Sequence, residues 1–307
     1  MSLDRTRSGG LRLDDASLAR ITDQRASDPG RIDDLWSARR RRPLLRADGR
    51  LLLVAADHPA RGALGVGRDP AAMASRPELL ARLVEALGRP GVDGVLATPD
   101  ILEDLLLLGA LEDRVVIGSM NRGGLQGAVF ELDDRFTAYT AADLAARGLD
   151  GGKMLTRIGL GDAGTAATLE ASGRAVTELA AHGLMAMIEP FLSEQNGSRV
   201  SNHLDPDSVI LSMHVAAGLG ATSARTWLKV PVVDDLARVM DATTLPTLLL
   251  GGDPAGEPQE TYAEWARAVD LPPVRGLVVG RALLYPPDGD VAAAVDVAAQ
   301  IVHGSAP

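Results

Sequence analysis

Two residues in this sequence stand apart by type. Lys153 and Lys229 are its only lysines, and every other strongly basic position is an arginine. A generic positive charge in this chain is therefore an arginine, and a lysine kept against that preference points to a task a guanidinium cannot perform. A desolvated ammonium loses its proton and becomes a nucleophilic amine, whereas a guanidinium stays charged. Each lysine lies in a strand-like run, at residues 226–232 (TWLKVPV) and 150–158 (DGGKMLTRI). A neutral amine attacks a carbonyl to form a Schiff base, an electron sink for C–C cleavage. The protons of the carbinolamine and of the substrate hydroxyl then need carriers, and Asp57 and Glu189, each closing an apolar run, are available. The plainer alternative is a buried ion pair of Lys229 with Glu189 or Asp57, which would hold the proton on the lysine.

The elements that must position these groups follow a regular beat from residue 50 onward. Apolar runs at 51–56, 94–97, 115–119, 153–158, 184–188, 226–232, 248–252 and 276–280 alternate with amphipathic stretches. Those stretches predict helices at 78–87, 101–109, 137–147, 164–182, 206–218, 234–240, 261–269 and 291–302. Continuous apolar strands separated by helices imply a parallel sheet covered by helices. Eight such units, with no GxGxxG after the first strand, predict a closed (β/α)8 TIM barrel, which normally takes about 250 residues. Residues 1–48 read as an N-terminal helical extension, with helical pieces at 14–23 and 32–40, and 49–307 as the catalytic barrel domain.

In that fold chemistry sits at the C-terminal ends of the strands. Strand 1 ends in Asp57 and His58, and strand 3 in Asn121 and Arg122. Strand 4 carries Lys153 and Arg157, strand 5 ends in Glu189, and strand 6 carries Lys229. Strand 7 ends in Gly251, Gly252 and Asp253, and strand 8 in Gly280 and Arg281. Period-two counting puts Asp57 on the face of Leu53 and Ala55, and Glu189 on that of Met185 and Met187. Glycines let backbone N–H groups approach an anion, and the loops after strands 7 and 8 are the usual phosphate cradle of a barrel. Gly251, Gly252, Gly280 and Arg281 thus read as a phosphate site.

Composition narrows the remaining classes. A net charge of −10 argues against nucleic-acid and membrane-surface partners. The four arginines at 39–42 read as a helix end that pairs with acidic neighbours rather than as a nucleic-acid patch. There are no cysteines, which removes disulfides and thiolate chemistry. Of the five histidines only His58 falls at a strand end, so no three-histidine metal set is expected. No apolar run suits a signal or membrane segment, and the expected location is the cytoplasm.

Together these residues resemble the class I, Schiff-base aldolase superfamily. The resemblance is carried by Asp57-His58, Lys153 in GGKML, Glu189 in MIEPF, Lys229 in WLKVP, Gly251-Gly252 and Arg281 in VVGR, over roughly residues 50–303. It is to the deoxyribose-phosphate, tagatose-bisphosphate and archaeal-type fructose-bisphosphate aldolases, and closest to an actinobacterial branch associated with inositol catabolism. It implies that Lys229 is the Schiff-base lysine and Lys153 the second lysine of the site. It implies further that Asp57 and Glu189 handle hydroxyls and protons, and that Gly252, Gly280 and Arg281 hold phosphate. A cofactor-free homo-oligomer acting on a sugar phosphate is implied as well. The Lys-Thr-Ser-Thr-Gly motif of deoxyribose-phosphate aldolases is replaced by Lys229-Val-Pro-Val-Val, which argues against deoxyribose 5-phosphate. Asn121, Arg122 and Arg157 add local donors suited to a substrate carboxylate, as in 6-phospho-5-dehydro-2-deoxygluconate, whose cleavage gives dihydroxyacetone phosphate and malonate semialdehyde. Two other readings stay open: a lysine-dependent, thiolase-like acyl transferase of the same superfamily, and a non-catalytic barrel that binds a sugar phosphate.

Overall fold

The computed structural model describes residues 3–5, 11–121, 124–197, 199–252 and 257–304. Eight strands form a closed parallel (β/α)8 barrel: β1 (Leu51–Ala56), β2 (Gly94–Ala97), β3 (Val115–Ser119), β4 (Gly151–Ile158), β5 (Met185–Asn196), β6 (Thr226–Pro231), β7 (Thr247–Leu250) and β8 (Val274–Val279). Each pairs with the next in chain order, and β8 pairs back onto β1. Helices α1 (Asp15–Ser27) and α2 (Gly30–Ala38) precede the barrel. Around it run α3 (Arg76–Gly88), α4 (Pro99–Leu107), α5 (Ala141–Ala146), α6 (Gly164–Ala181), α7 (Pro206–Ala217), α8 (Leu236–Asp241), α9 (Pro258–Ala268), α10 (Arg281–Leu284) and α11 (Val291–His303).

The strands separate two apolar cores. Leu51, Leu53 and Ala55 point into the barrel with Ile117, Met187 and Trp227, while Leu52, Val54 and Ala56 join the layer under the helices. Both faces of β1 are buried, which is why it reads as an unbroken apolar run. Each buried leucine contributes about 1.5–3 kcal/mol by leaving water.

The bottom of the barrel, at the N-terminal ends of the strands, is closed by the segment that follows α2. Leu44 and Leu45 pack against the barrel interior. Arg39 donates to the carbonyls of Arg114 and Gly148 at 2.9 and 2.8 Å. Arg40 pairs with Asp113 at 2.9 Å and Arg41 with Asp150 at 3.0 Å. Arg42 and Arg46 each reach Asp93 at 2.5 Å. The arginine run thus meets acidic groups and carbonyls at the loops that lead into β2, β3 and β4.

Besides an antiparallel strand pair, Leu3–Arg5 with Leu11–Leu13, inside the stretch read as helical, three elements differ from the sequence pattern. β5 runs eight residues past the predicted end at 188, and its outer part pairs antiparallel with a short arm, Arg199–Asn202. The EPFLSEQN segment has no apolar alternation; its partners are that arm and the outer half of β4. The helix predicted at 137–147 forms only from Ala141, where Thr140 and Asp143 make a reciprocal capping box. The helix predicted from 234 starts at Leu236, because Asp235 takes a left-handed backbone (φ 48°) that interrupts helix entry. Among the described residues no helix is long and apolar enough to cross a membrane.

Candidate active site

Strand register brings four charged side chains together at the C-terminal end of the barrel. Met187 and Trp227 face the interior and are register partners, so Glu189 and Lys229, two residues further along each strand, point the same way. Lys153 reaches in from β4, and Asp57 from the end of β1. Lys153 Nζ donates to Asp57 Oδ2 at 2.7 Å and sits 2.6 Å from Glu189 Oε2. Lys229 Nζ sits 3.0 Å from the other oxygen, Glu189 Oε1. All four side chains are buried. Glu189 therefore serves both lysines, one oxygen each.

The two lysines differ electrostatically. Burial disfavours the charged form of each. At Lys153 the Asp57 and Glu189 carboxylates more than offset that, and its pKa is raised. At Lys229 burial outweighs the pull of Glu189, the Lys153 charge adds to it, and the pKa is lowered. Burial works against the charged form of Glu189 too, yet the two ammonium groups bring its pKa down to about 2. Asp57 is likewise held well below the carboxylate range, because Lys153 and Lys229 overcome its burial. Burial brings His58 down to about 3, so its imidazole is neutral, and its Nδ1 stands 3.7 Å from Asp57 Oδ1, outside hydrogen-bond reach.

A cavity of about 590 Å³ opens onto this cluster, lined by residues from the ends and loops of β1, β5, β6, β7 and β8. Lys229 and Glu189 form part of its lining; Lys153 and Asp57 lie behind it. Gly251, Gly252, Gly280, Arg281 and His58 line it as well. Gly280 must be glycine for packing reasons, since a Cβ there would stand 2.6 Å from the Ala55 carbonyl oxygen. Gly252 has a left-handed backbone, φ 63°. The short helix α10 follows Gly280, the arrangement that closes the phosphate site of many barrels. Arg82 of α3 braces it, donating to the Leu284 carbonyl at 2.8 Å and stacking 4.5 Å from the centre of the Tyr285 ring.

Other expected site residues fall elsewhere. Arg157 does not line the cavity: it is buried against Glu131 and Asp134, at 3.1 and 2.9 Å. Asn121 is buried too, its amide donating to the Leu155 carbonyl at 2.8 Å and accepting from the Leu155 N–H at 2.9 Å. Both tie the β3–α5 connection to β4, which corrects their reading as carboxylate ligands. Arg122 and Asp253 lie outside the described residues. Sequence reasoning missed Arg61, which lines the cavity from a 3-10 turn after β1, and Phe191, Asn202 and Leu204 on its β5 side. Phe191 carried a signal, being two residues beyond Glu189 on the same strand face; Asn202 and Leu204 carried none.

Residues 49–299 match a family model described as Cgl0159-like. The chain belongs to the Cgl0159-like family. The crystal structure of Cgl0159 from Corynebacterium glutamicum (Brevibacterium flavum) is 56% identical, covers 95% of this chain and 98% of that one, and superposes with a TM-score of 0.92. More distant is a Schiff base forming fructose-1,6-bisphosphate aldolase, 18% identical over 89% of this chain and 100% of that one, with a TM-score of 0.64. An archaeal fructose-1,6-bisphosphate aldolase, with its catalytic Lys covalently bound to the carbinolamine intermediate, is 17% identical over 88% and 99% of the two chains, at 0.63. At these identities the last two share the barrel fold with this Cgl0159-like chain. Among curated proteins there is no match.

Proposed function

We propose that this Cgl0159-like protein is a class I aldolase that cleaves or forms a C–C bond in a phosphorylated ketose or keto-acid sugar through a Schiff base on Lys229. One observation carries the reading: of two buried lysines, Lys229 alone lines the cavity, and it is the one whose pKa is lowered. A distant barrel of the same fold with its catalytic Lys held as a carbinolamine supports Schiff-base chemistry on this scaffold.

The neutral Lys229 amine attacks the ketone carbon, and the carbonyl π pair becomes the carbinolamine hydroxyl. Glu189, 3.0 Å away, carries the protons that let this hydroxyl leave as water, giving the iminium. A carboxylate, Asp57 on this reading, takes the proton of the hydroxyl on the carbon beyond the breaking bond. That C–O becomes an aldehyde carbonyl, and the C–C pair moves into the iminium to give an enamine. Protonation of the enamine carbon and addition of water release the ketone and restore the amine. Lys153 remains an ammonium between the two acids and stabilises developing negative charge on oxygen. Gly252, Gly280 and Arg281 hold the phosphate.

Borohydride reduction with dihydroxyacetone phosphate, followed by peptide mass spectrometry, tests this. The expected result is a mass increase on Lys229 that is absent in Lys229→Ala. An adduct on Lys153 would exchange the roles of the lysines, and no adduct with any triose or ketose phosphate would overturn the aldolase reading.

A further inference from the structure

The bottom of the barrel carries a separate cavity of about 370 Å³, set among the segment after α2 and the entries to β4, β5 and β6. Its size is that of a small-molecule site. Arg41, Arg42 and Arg225 line it with a single carboxylate, Asp150, and Trp227 and Met185 give it an apolar part. In a chain with a net charge of −10 this is a local reversal of sign. The charges do not cancel. Asp150 is engaged at both oxygens, one 3.0 Å from Arg41 and the other accepting from the Val116 N–H at 2.8 Å. Arg42 has Asp93, but shares it with Arg46. His303 touches Asp93 too and brings Asp48 as a partner of its own. The Arg225 guanidinium has no ion-pair or hydrogen-bond partner among the described residues. Two carboxylates thus answer four guanidinium groups, and two positive charges are left over.

The unmatched arginine stands on fixed backbone. Its carbonyl accepts from the Ala186 N–H at 2.9 Å, which ties the entry of β6 to that of β5. Its Nη2 lies 3.9 Å from where a Cβ on Gly183 would be. Gly183 has a left-handed backbone, φ 71°, so the turn into β5 passes the guanidinium without a side chain. Arg225 and Trp227 are two residues apart and leave the chain on the same side, and both border the cavity. A cation and an indole are therefore presented together. Two unmatched guanidinium charges suit a phosphate monoester dianion, whose oxygens take the guanidinium fork two at a time. A carboxylate would leave one of those charges unanswered. Inorganic phosphate would leave the indole and the thioether to water, whereas a phosphate monoester with a flat aromatic base covers them, and bases stack on indoles.

We propose that this basal cavity is a second ligand site, which takes a phosphate monoester bearing an aromatic base, of the nucleoside monophosphate class, with Arg225 as its principal anion contact. The site is independent of the Schiff-base chemistry, and its test needs no turnover. Calorimetric titration of the full chain with AMP, adenosine and inorganic phosphate measures it. AMP should bind tenfold or more tightly than either adenosine or inorganic phosphate. Arg225→Ala changes an exposed side chain and should weaken AMP binding tenfold or more. Arg281→Ala, at the opposite end of the barrel, should leave AMP affinity within about threefold. No binding of AMP, AMP no tighter than inorganic phosphate or adenosine, or an affinity unchanged in Arg225→Ala would each overturn the proposal. A loss in Arg281→Ala in place of Arg225→Ala would put the nucleotide in the upper cavity and overturn it as well.

Discussion

Each end of the barrel buries a carboxylate among cations, and the two ends use different cations. At the bottom, Asp93 is fully buried, with Arg42 and Arg46 at 2.5 Å, the Leu52 N–H at 2.7 Å and His303 Nε2 at 3.2 Å. At the top, Glu189 lies between Lys153 and Lys229. Both acids are held at about 2, so the carboxylates are in the same state. The difference is in what surrounds them. A guanidinium keeps its proton at any pH the protein meets, so the two arginines at the bottom are a static brace; an ammonium can release one, and the top cluster can do chemistry. On the proposed function, this chain reserves lysine for the end where a proton has to leave.

The largest expected effect comes from carrying the bottom's chemistry to the top. Lys229→Arg keeps the charge beside Glu189 and removes the amine. The borohydride adduct should vanish and kcat should fall on the order of 10⁴-fold or more, as when a covalent nucleophile is deleted. Retained turnover in a folded Lys229→Arg protein would break the comparison.

Lys153→Met sharpens it. Losing the second ammonium should lower kcat on the order of 10²–10⁴-fold, the range of a lost proton-transfer or hydrogen-bonding group. It also removes the like charge that presses on Lys229 and leaves Glu189 to a single partner. The Lys229 ammonium is then favoured, so the acid limb of the pH–rate profile should move to higher pH. A limb that stays in place would show that Lys153 does not set the ionisation of Lys229.

At the bottom, Asp93→Asn should cost about 3 kcal/mol in denaturant unfolding, because it strands two guanidinium groups, with kcat per folded molecule unchanged. Burial raises the Asp93 pKa, but His303, the Leu52 N–H, Arg42 and Arg46 together bring it down to about 2, against an ordinary 3.8. The ionised form is thus stabilised by folding. Its contribution is complete above pH 3.8 and is lost as pH falls through 2, so the gap between the two proteins should close on acidification. A loss of turnover equal to that of Lys153→Met would mean the two ends are not separate.

What was legible in the sequence divides along the same line. The barrel could be read because buried parallel strands write themselves as apolar runs, and the inward direction of Asp57 and Glu189 followed from period two alone. Lys153 and Lys229 were visible by rarity. Arg157 misled because its partners, Glu131 and Asp134, lie more than twenty residues earlier in a loop without periodicity. The outer half of β5 was invisible because it is held by a neighbouring arm and by β4 rather than by its own pattern. Arg61 sits in a turn that no apolar beat marks, so only the folded cavity reveals it.

The sharing of Glu189 between the lysines has a consequence for the electrical state of the proposed site. Asp57 and Glu189 supply two negative charges, and Lys153 supplies one positive charge throughout. With Lys229 as a free amine, the form the proposed attack requires, the cluster carries one uncompensated negative charge in a buried setting. The iminium formed on that same nitrogen is cationic, and its formation brings the sum to zero. On the proposed mechanism such a pocket is electrically complete in the covalent intermediate and one charge short when Lys229 is a free amine, so the fixed acids favour iminium formation.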